Sequence, residues 1–434
     1  GRFEQDLWQG EYGLRKRFKT GAEVSVSNRL STLDNNSEFL DPNPQAGSEI
    51  VLSITQPLLQ GNGYHYNTMA LKVAKLDAKM GVAEFVRQLE TYLLELNRTY
   101  WGVYLSRASY LQKRSLMEQT EKVVKQLEGR AEVDEEATRS ELLRARSALA
   151  QRKASLIRSE MAIRTAEQRL RALVNDPEYQ LGSASEIIPV SAPIVSPPNE
   201  DVRKTAELAI ANRPELLEGI YQVQAAGLRR DLQKNELLPS LDLILEGTVA
   251  GIDDGREVDQ AFSDQFDHGE GWLAGFQFSM PLERNFAKAR HTRRKQELQM
   301  QVSQLRSTLD SVLLEAVVAY QDLKTAYRDM QGKYQAVLAS REELSELEER
   351  LDVDAGEEGG SVGYQLQLIL DALERNEAAE QDFLVSVVVY NTSFTVLDRA
   401  RGTLLRKHNV DFERIVDEEG VTVVRGSNGP VSGK

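Results

Sequence analysis

The 434-residue chain has no cysteine, which excludes a disulfide framework and any thiolate metal site. It also lacks a run of about 18 consecutive apolar residues, and 28% of its residues are charged. A polytopic helical membrane protein is therefore excluded. A transmembrane β-barrel is not, because its strands are short and apolar only at every second position. Basic residues are in the minority: 53 Lys and Arg against 67 Asp and Glu leave a net charge of -14, which argues against nucleic acid as a partner. Histidine is scarce, and His65, His268, His291 and His408 lie in separate segments, as surface or loop residues rather than as a ligand set. No His-Glu-x-x-His or Gly-x-Ser-x-Gly context accompanies the many carboxylates, so the expectation is no enzyme, no catalytic residue, no cofactor and no metal.

Proline is sparse in a patterned way. After Gln56-Pro57-Leu58 none occurs until Pro177, and after Met280-Pro281-Leu282 none occurs until Pro430. Proline in a helix interior costs about 3 kcal/mol, so each proline-free run predicts long helices launched from a strand. Glycine is nearly absent from the helical stretches within these runs, with Gly81 and Gly102 between Tyr64 and Glu128 and Gly332 between Phe286 and Leu351. Continuous helix from Tyr64 to Glu128 would be a rod of roughly 95 Å. Its successor carries a heptad of Leu142, Leu149, Leu156, Ile163 and Leu170, with Arg152 and Ser159 interrupting the companion seam of Ala145, Ala166 and Leu173. Such a stripe packs against a neighbouring helix in coiled-coil fashion.

The strands announce themselves by alternation of period two. Ala22 to Asn28 alternates, and so does Ile50 to Thr55, with a polar loop from Thr32 to Ser48 between them. Leu241, Leu243 and Leu245 alternate with Asp242 and Glu246. In the fourth strand Trp272, Ala274, Phe276, Phe278 and Met280 face one way, and Gly275, Gln277 and Ser279 the other. An acidic loop from Gly251 to Gly271 joins the last two. Gly61-Asn62-Gly63 reads as a turn, and Asp253-Asp254-Gly255 lacks the ligand spacing of a calcium loop.

The fold class expected is mainly α with a β-barrel part, in two tandem repeats of a strand hairpin and a long antiparallel helical hairpin. Residues 1–63 hold the first strand hairpin, 64–175 the first long helical hairpin and 176–211 a linker. Residues 212–239 form a helix leading to the second repeat, 240–285 the second strand hairpin, 286–405 the second helical hairpin and 406–434 a mobile tail. The copies align through Leu93-Leu94-Glu95 with Tyr100 and Leu313-Leu314-Glu315 with Tyr320. Nothing ahead of the first strand matches Asn212 to Leu238, and the chain opens at Gly1-Arg2-Phe3 without Met. The expectation is that an N-terminal segment, including the first helix, has been removed.

Four strands, each apolar on one side, cannot close a barrel alone, since small barrels need about eight. Open edges in lipid would leave backbone groups unsatisfied at several kcal/mol each. Several chains sharing one cylinder would solve this, with the helices extending it as a duct.

Asn212-Arg213-Pro214-Glu215-Leu216, followed by Leu237-Leu238-Pro239-Ser240-Leu241, resembles a signature of the outer membrane efflux proteins, the TolC family. The strand-Pro-Leu-helix unit found twice, and the Leu-Asp-Ala after the second turn, are similar to that family's repeat. The resemblance spans residues 20 to 405. It implies a homotrimer with a 12-stranded barrel in the outer membrane and an α-helical tunnel in the periplasm. Its partners would be a periplasmic adaptor, an inner-membrane pump and outer-membrane lipid, in drug efflux or type I secretion.

The resemblance also implies that the helix-turn-helix tips close the tunnel and meet the adaptor. Mapped here, the tips are about Glu128 to Ser140 and Asp352 to Gln365, with Gly129, Arg130, Val133, Asp134, Gly356 and Gly363 as adaptor contacts. Family members often carry two acidic residues three apart after the second tip. Asp371 matches the second of these, whereas Leu368 occupies the first. The second turn is longer than usual and acidic, with Asp352, Asp354, Glu357 and Glu358. Either the acidic ring has moved into the turn or gating differs. Under three-fold symmetry each such acid becomes a ring of three carboxylates that attracts cations; solvation of an exposed turn is the competing explanation.

Two alternatives stand beside these readings. The basic run Lys288 to Lys295, just after the fourth strand, is either a belt for lipid phosphates or an ordinary solvated helix face. The rival to the whole reading is a soluble periplasmic coiled-coil scaffold or adaptor without a pore, which has no need of the strand Trp272 to Met280.

Overall fold

The computed structural model describes residues 2–37, 39–131, 139–180, 182, 185–266, 270–354, 362–410, 412–416 and 422–426. In chain order, β1 (Gln5–Arg17), β2 (Glu23–Asn35) and β3 (Gln45–Pro57) precede α1 (Tyr64–Asn67), α2 (Met69–Ala131) and α3 (Arg139–Val174). Then come α4 (Val202–Asn212), α5 (Pro214–Asn235), β4 (Ser240–Asp254), α6 (Val258–Asp264) and β5 (Glu270–Ser279). The chain continues through α7 (Asn285–Asp354), α8 (Val362–Ala400), α9 (Leu404–Lys407), β6 (Phe412–Val416) and β7 (Thr422–Gly426). Two compact units are distinguishable. The first comprises residues 1–82, 217–306 and 415–423, and the second residues 83–216, 307–414 and 424–434.

The first unit is built on one antiparallel sheet with strand order β1-β2-β3-β4-β5. Four strands were expected there and five are present. β1 escaped because Leu7 and Trp8 are adjacent and Gly10 and Gly13 interrupt it, so no alternation shows. Pairing with β2 makes it a strand, in unbroken register from Gln5↔Asn35 to Arg17↔Glu23. The connecting turn closes with Phe18 N–H donating to Ala22 O at 2.8 Å and depends on Gly21 at φ 97. The polar loop is shorter than expected because β2 runs on to Asn35 and β3 begins at Gln45. The acidic loop likewise holds a helix, α6, which packs on β3 and β4. Ala261 O and Gln265 N approach Gly251 so closely that a Cβ there would lie 2.3 and 2.5 Å from them.

The second unit is helical. One buried cluster near the ends of the long helices joins Leu116, Val123 and Leu127 of α2, Ala145 of α3, Leu344 of α7, and Leu366, Ile369, Leu370 and Leu373 of α8. Leu142 and Leu149, from the heptad, pack against it. A second cluster joins Ala319, Leu323, Ala326 and Met330 of α7 to Val387, Tyr390, Leu397 and Ala400 of α8. The interruptions in the heptad are satisfied locally. Arg152 donates to Thr120 Oγ1 and to Leu370 O, and Ser159 Oγ donates to Leu156 O at 2.7 Å.

Three boundaries differ from expectation. The expected turn at Gly129 is helix, since α2 continues through Gly129 and Arg130 to Ala131. The second turn narrows in the same way: α7 extends through Asp352 to Asp354, and Gly363 lies in the first turn of α8. Glycine tolerates a helix interior at about 1 kcal/mol, which adjacent helical packing readily offsets. The tail expected to be mobile contains α9 and a two-stranded sheet of β6 and β7.

Candidate functional site

Residues paired across an antiparallel sheet share a face, so the register divides the sheet into two surfaces. One row is Leu14, Val26, Leu52, Gly247 and Trp272; the next is Lys16, Val24, Ile54, Leu245 and Ala274. Leu243 and Phe276, then Leu241 and Phe278, continue this surface. The other surface is mainly polar, carrying Ser25, Ser27, Arg29, Glu49, Ser53, Glu246, Thr248 and Gln277, with Leu7, Leu33, Val51, Ile244, Ile252 and Leu273 as apolar members. Arg29 bridges Glu11 at 3.7 Å and Glu49 at 3.5 Å across three strands of it. The apolar surface is bare: Trp272 is 87% exposed and Phe276 72%. Its orientation agrees with the alternation read for the fourth strand.

Toward the far end of the strands the apolar face holds a polar node beneath α6. Asn28 Nδ2 donates to Tyr12 Oη at 2.9 Å, and Ser48 Oγ lies 3.2 Å from Asn28 Oδ1 and 3.0 Å from Gln265 Oε1. Asn28, Ser48 and Gln265 are buried by the helix. These three polar side chains are thus withdrawn from solvent on a surface that is mainly apolar.

In the second unit, the Asn212-Arg213-Pro214-Glu215-Leu216 motif is a tie between helices. Asp201 caps α4, accepting from the N–H groups of Arg203 and Lys204. The helix ends at Asn212 because the residue before Pro214 is held extended, with Arg213 at ψ 124. Pro214 then opens α5 at the position where its missing N–H costs nothing. The kink points Arg213 inward, 4% exposed by side chain. Its guanidinium donates to both Glu215 oxygens at 2.9 Å, to Glu315 of α7 at 2.6 Å and to the Arg399 carbonyl of α8 at 3.2 Å. Arg399 itself reaches Glu315 at 3.4 Å. Gly402, at φ 65, lets the end of α8 pass against the motif, for a Cβ there would sit 2.8 Å from the Asn212 carbonyl.

Glu90 of α2 faces this cluster and is 3% exposed. Burial pushes its carboxyl up to about 7, with Arg213 and Arg399 opposing the shift and Glu215 and Glu315 adding to it. No feature of the sequence around Glu90 marked it, because its environment comes from residues more than a hundred positions away.

The expected gate residues are only partly within the described chain. Asp371 is exposed on α8 and accepts from Gln367 Nε2 at 3.1 Å, while Leu368, three residues earlier, is half-buried. Arg375 lies nearby, paired with Glu343 at 2.6 Å and held above its ordinary value by that hydrogen bond, with Asp371 contributing. Asp352 and Asp354 fall in the last turn of α7, Gly129 and Arg130 in the last turn of α2. Val133, Asp134, Gly356, Glu357 and Glu358 lie outside the described residues. The expected Gly61-Asn62-Gly63 turn is present, with Asn67 Nδ2 donating to the carbonyls of both glycines. Among the described residues, no group of three or more His, Asp or Glu is placed to hold a metal, and no helix is long and apolar enough to cross a membrane.

No family model and no curated protein sequence matches the chain. Solved structures do. The outer-membrane channel OprN superposes with a TM-score of 0.66 at 15% identity, covering 93% of this chain and 82% of that one. VceC, an outer membrane protein from Vibrio cholerae, gives 0.66 at 16%, covering 92% and 87%. The open state of the MtrE outer membrane channel of Neisseria gonorrhoeae gives 0.64 at 15%, covering 92% and 81%. At these identities the likeness establishes a shared fold: long helices joined to an antiparallel sheet in one connected chain order.

Proposed function

We propose that this chain, which has the fold of solved outer-membrane channels, is itself a TolC-family outer-membrane channel and the exit duct of an efflux or type I secretion system. One observation carries the reading: a five-stranded sheet with an exposed, mainly apolar face and a mainly polar face behind it. A water-soluble scaffold would leave Trp272, Phe276 and Phe278 in water, where burying each would gain about 1.5–3 kcal/mol. Hydrocarbon on one side and a wet lumen on the other satisfy both faces.

Closure requires more strands than one chain supplies. In an antiparallel meander β1 and β5 run the same way, so joining β5 of one copy to β1 of the next would be a parallel junction. Joining β5 to β2 keeps every pairing antiparallel. Four strands from each of three chains, β2 to β5, then make a 12-stranded wall, and β1 leaves the edge of β2 as the trimer closes.

The helical hairpins would continue the duct into the periplasm. Their tips, including Gly129, Arg130, Val133, Asp134, Gly356 and Gly363, would meet a periplasmic adaptor serving an inner-membrane pump. The aperture would be ringed by acids from Asp352, Asp354, Glu357, Glu358 and Asp371, with Leu368 as an apolar constriction. Opening would be a change of helix interfaces rather than a chemical step, so the chain would need no cofactor.

The decisive experiment is reconstitution of the purified chain in a planar bilayer. Trimeric particles giving discrete, cation-preferring conductance steps are expected, with the preference reduced by Asp371→Asn. A monodisperse monomer that needs no detergent would overturn the reading.

A further inference from the structure

Directly below the sheet, the side chains change from apolar to aromatic to cationic in a short stretch of chain. Phe276 and Phe278 of β5 are followed by Leu282, 93% exposed, and then by exposed Phe286 in the first turn of α7. The Arg290 guanidinium lies over the Phe286 ring, 4.0 Å from its centroid. One turn further on, Arg293 and Arg294 join Arg290 and Gln233 of α5 in lining a cavity of about 370 Å³. Segment 283–297 holds six Lys and Arg against two Glu, in a chain whose net charge is -14. The concentration of positive charge is therefore local.

The cavity is built rather than a chance cluster of long side chains. Gln233 is buried at its wall, with Nε2 donating to Glu236, and Arg290 is 3.8 Å from the same carboxylate. Arg284, just before α7, donates to Leu237 O at 2.9 Å and so fixes the start of α7 against the end of α5. Glu297 accepts one N–H from Arg293 at 2.9 Å and one from Arg294 at 2.6 Å. A guanidinium has five N–H donors, so each retains most of its capacity for a second acceptor. Three forked donors converging on one concavity match the oxygens of a phosphate.

We propose that Arg290, Arg293, Arg294 and Gln233 form a binding site for the phosphate of an anionic phospholipid at the periplasmic margin of the barrel. The inference rests on the outer-membrane reading, which supplies the lipid. The order of side chains is that of a bilayer boundary: Phe276 and Phe278 at acyl-chain depth, Phe286 at the interface, and arginines at the headgroups. The same position after the first set of strands is also basic, with Lys72, Lys75 and Lys79 in the opening turns of α2.

The test is native mass spectrometry and thermal melting of the full chain in neutral detergent. It compares added phosphatidylglycerol, phosphatidylcholine and inorganic phosphate. Wild type should retain phosphatidylglycerol and melt higher with it than with phosphatidylcholine. Arg290→Gln/Arg293→Gln/Arg294→Gln should bind it at least about tenfold more weakly. Lys122→Gln/Lys125→Gln, which removes charge further along α2, should keep the effect; circular dichroism reports whether each variant folds. If the triple variant misfolds, single Arg293→Gln, on the exposed lip, gives the same comparison. Equal response of wild type to both lipids overturns the site. A response to inorganic phosphate equal to that with phosphatidylglycerol would overturn the lipid as its source. Failure of the wild type to enter detergent micelles or liposomes would instead overturn the outer-membrane reading.

Discussion

The Arg213 guanidinium lies 2.6 Å from the Glu315 carboxylate, 102 residues further along the chain, and closes a tie between the α4–α5 kink and the middle of α7. Because Arg213 is buried and Glu315 is partly exposed, the two ends of the bond are unequal. Arg213→Gln leaves Glu215 without its cation and Glu315 with Arg399 alone, and should cost about 2–3 kcal/mol. Glu315→Gln keeps an acceptor and should cost about 1 kcal/mol or less. Melting of the two variants in detergent checks the asymmetry; equal losses would show that the tie is not centred on Arg213.

Glu90 makes stability depend on pH. Its folded value of about 7 lies above the ordinary carboxylate value of 4.5, so between these limits the folded state holds the extra proton. Stability from this group is complete below the unfolded value and is lost as pH rises through about 7. Wild type should therefore lose melting temperature from pH 5 to 8. Glu90→Gln should flatten that slope and be the more stable of the two at pH 8. Parallel curves for the two proteins would exclude Glu90 as the source.

Two glycines should respond oppositely to the same substitution. Gly402→Ala meets both a left-handed backbone and the Asn212 carbonyl, and should destabilise by about 1–3 kcal/mol. Gly332→Ala, in α7 with open space around the new methyl group, should stabilise by about 0.5–1 kcal/mol. Denaturant midpoints in detergent decide the sign of each.

Neighbouring residues on β5 separate the two faces of the sheet. Phe276→Arg puts a charge on the apolar surface and should cost about 2–4 kcal/mol if that surface lies at mid-membrane. Gln277→Arg points to the polar surface and should assemble normally. Heat-resistant trimer on semi-native gels is the readout, and comparable assembly of both variants would count against a lipid-facing wall.

A disulfide between β1 and β2 tests how the barrel closes. Gln9→Cys with Ser31→Cys joins residues directly paired across these strands. Once oxidised, the bond should hold β1 on the edge of β2 and block trimer formation, with reduction restoring it. Trimers that form with the bond intact would require β1 to be part of the wall.

What the sequence determined by itself was whatever is written in local spacing. The proline-free runs placed the long helices, and alternation placed four of the five strands of the large sheet together with the orientation of β5. The Asn-Arg-Pro-Glu-Leu motif pointed to a family whose fold the chain shares. Tertiary structure alone decided the rest. β1 is a strand only because β2 offers it a paired edge, and Gly129, Asp352 and Gly363 are helical although their local composition suggests turns. Glu90 acquires its raised value, Arg213 its partners and the three arginines of α7 their cavity from residues distant in sequence. Periodicity reports which face a residue will present; burial and charge pairing depend on what that face meets, and no local window contains both sides of a contact.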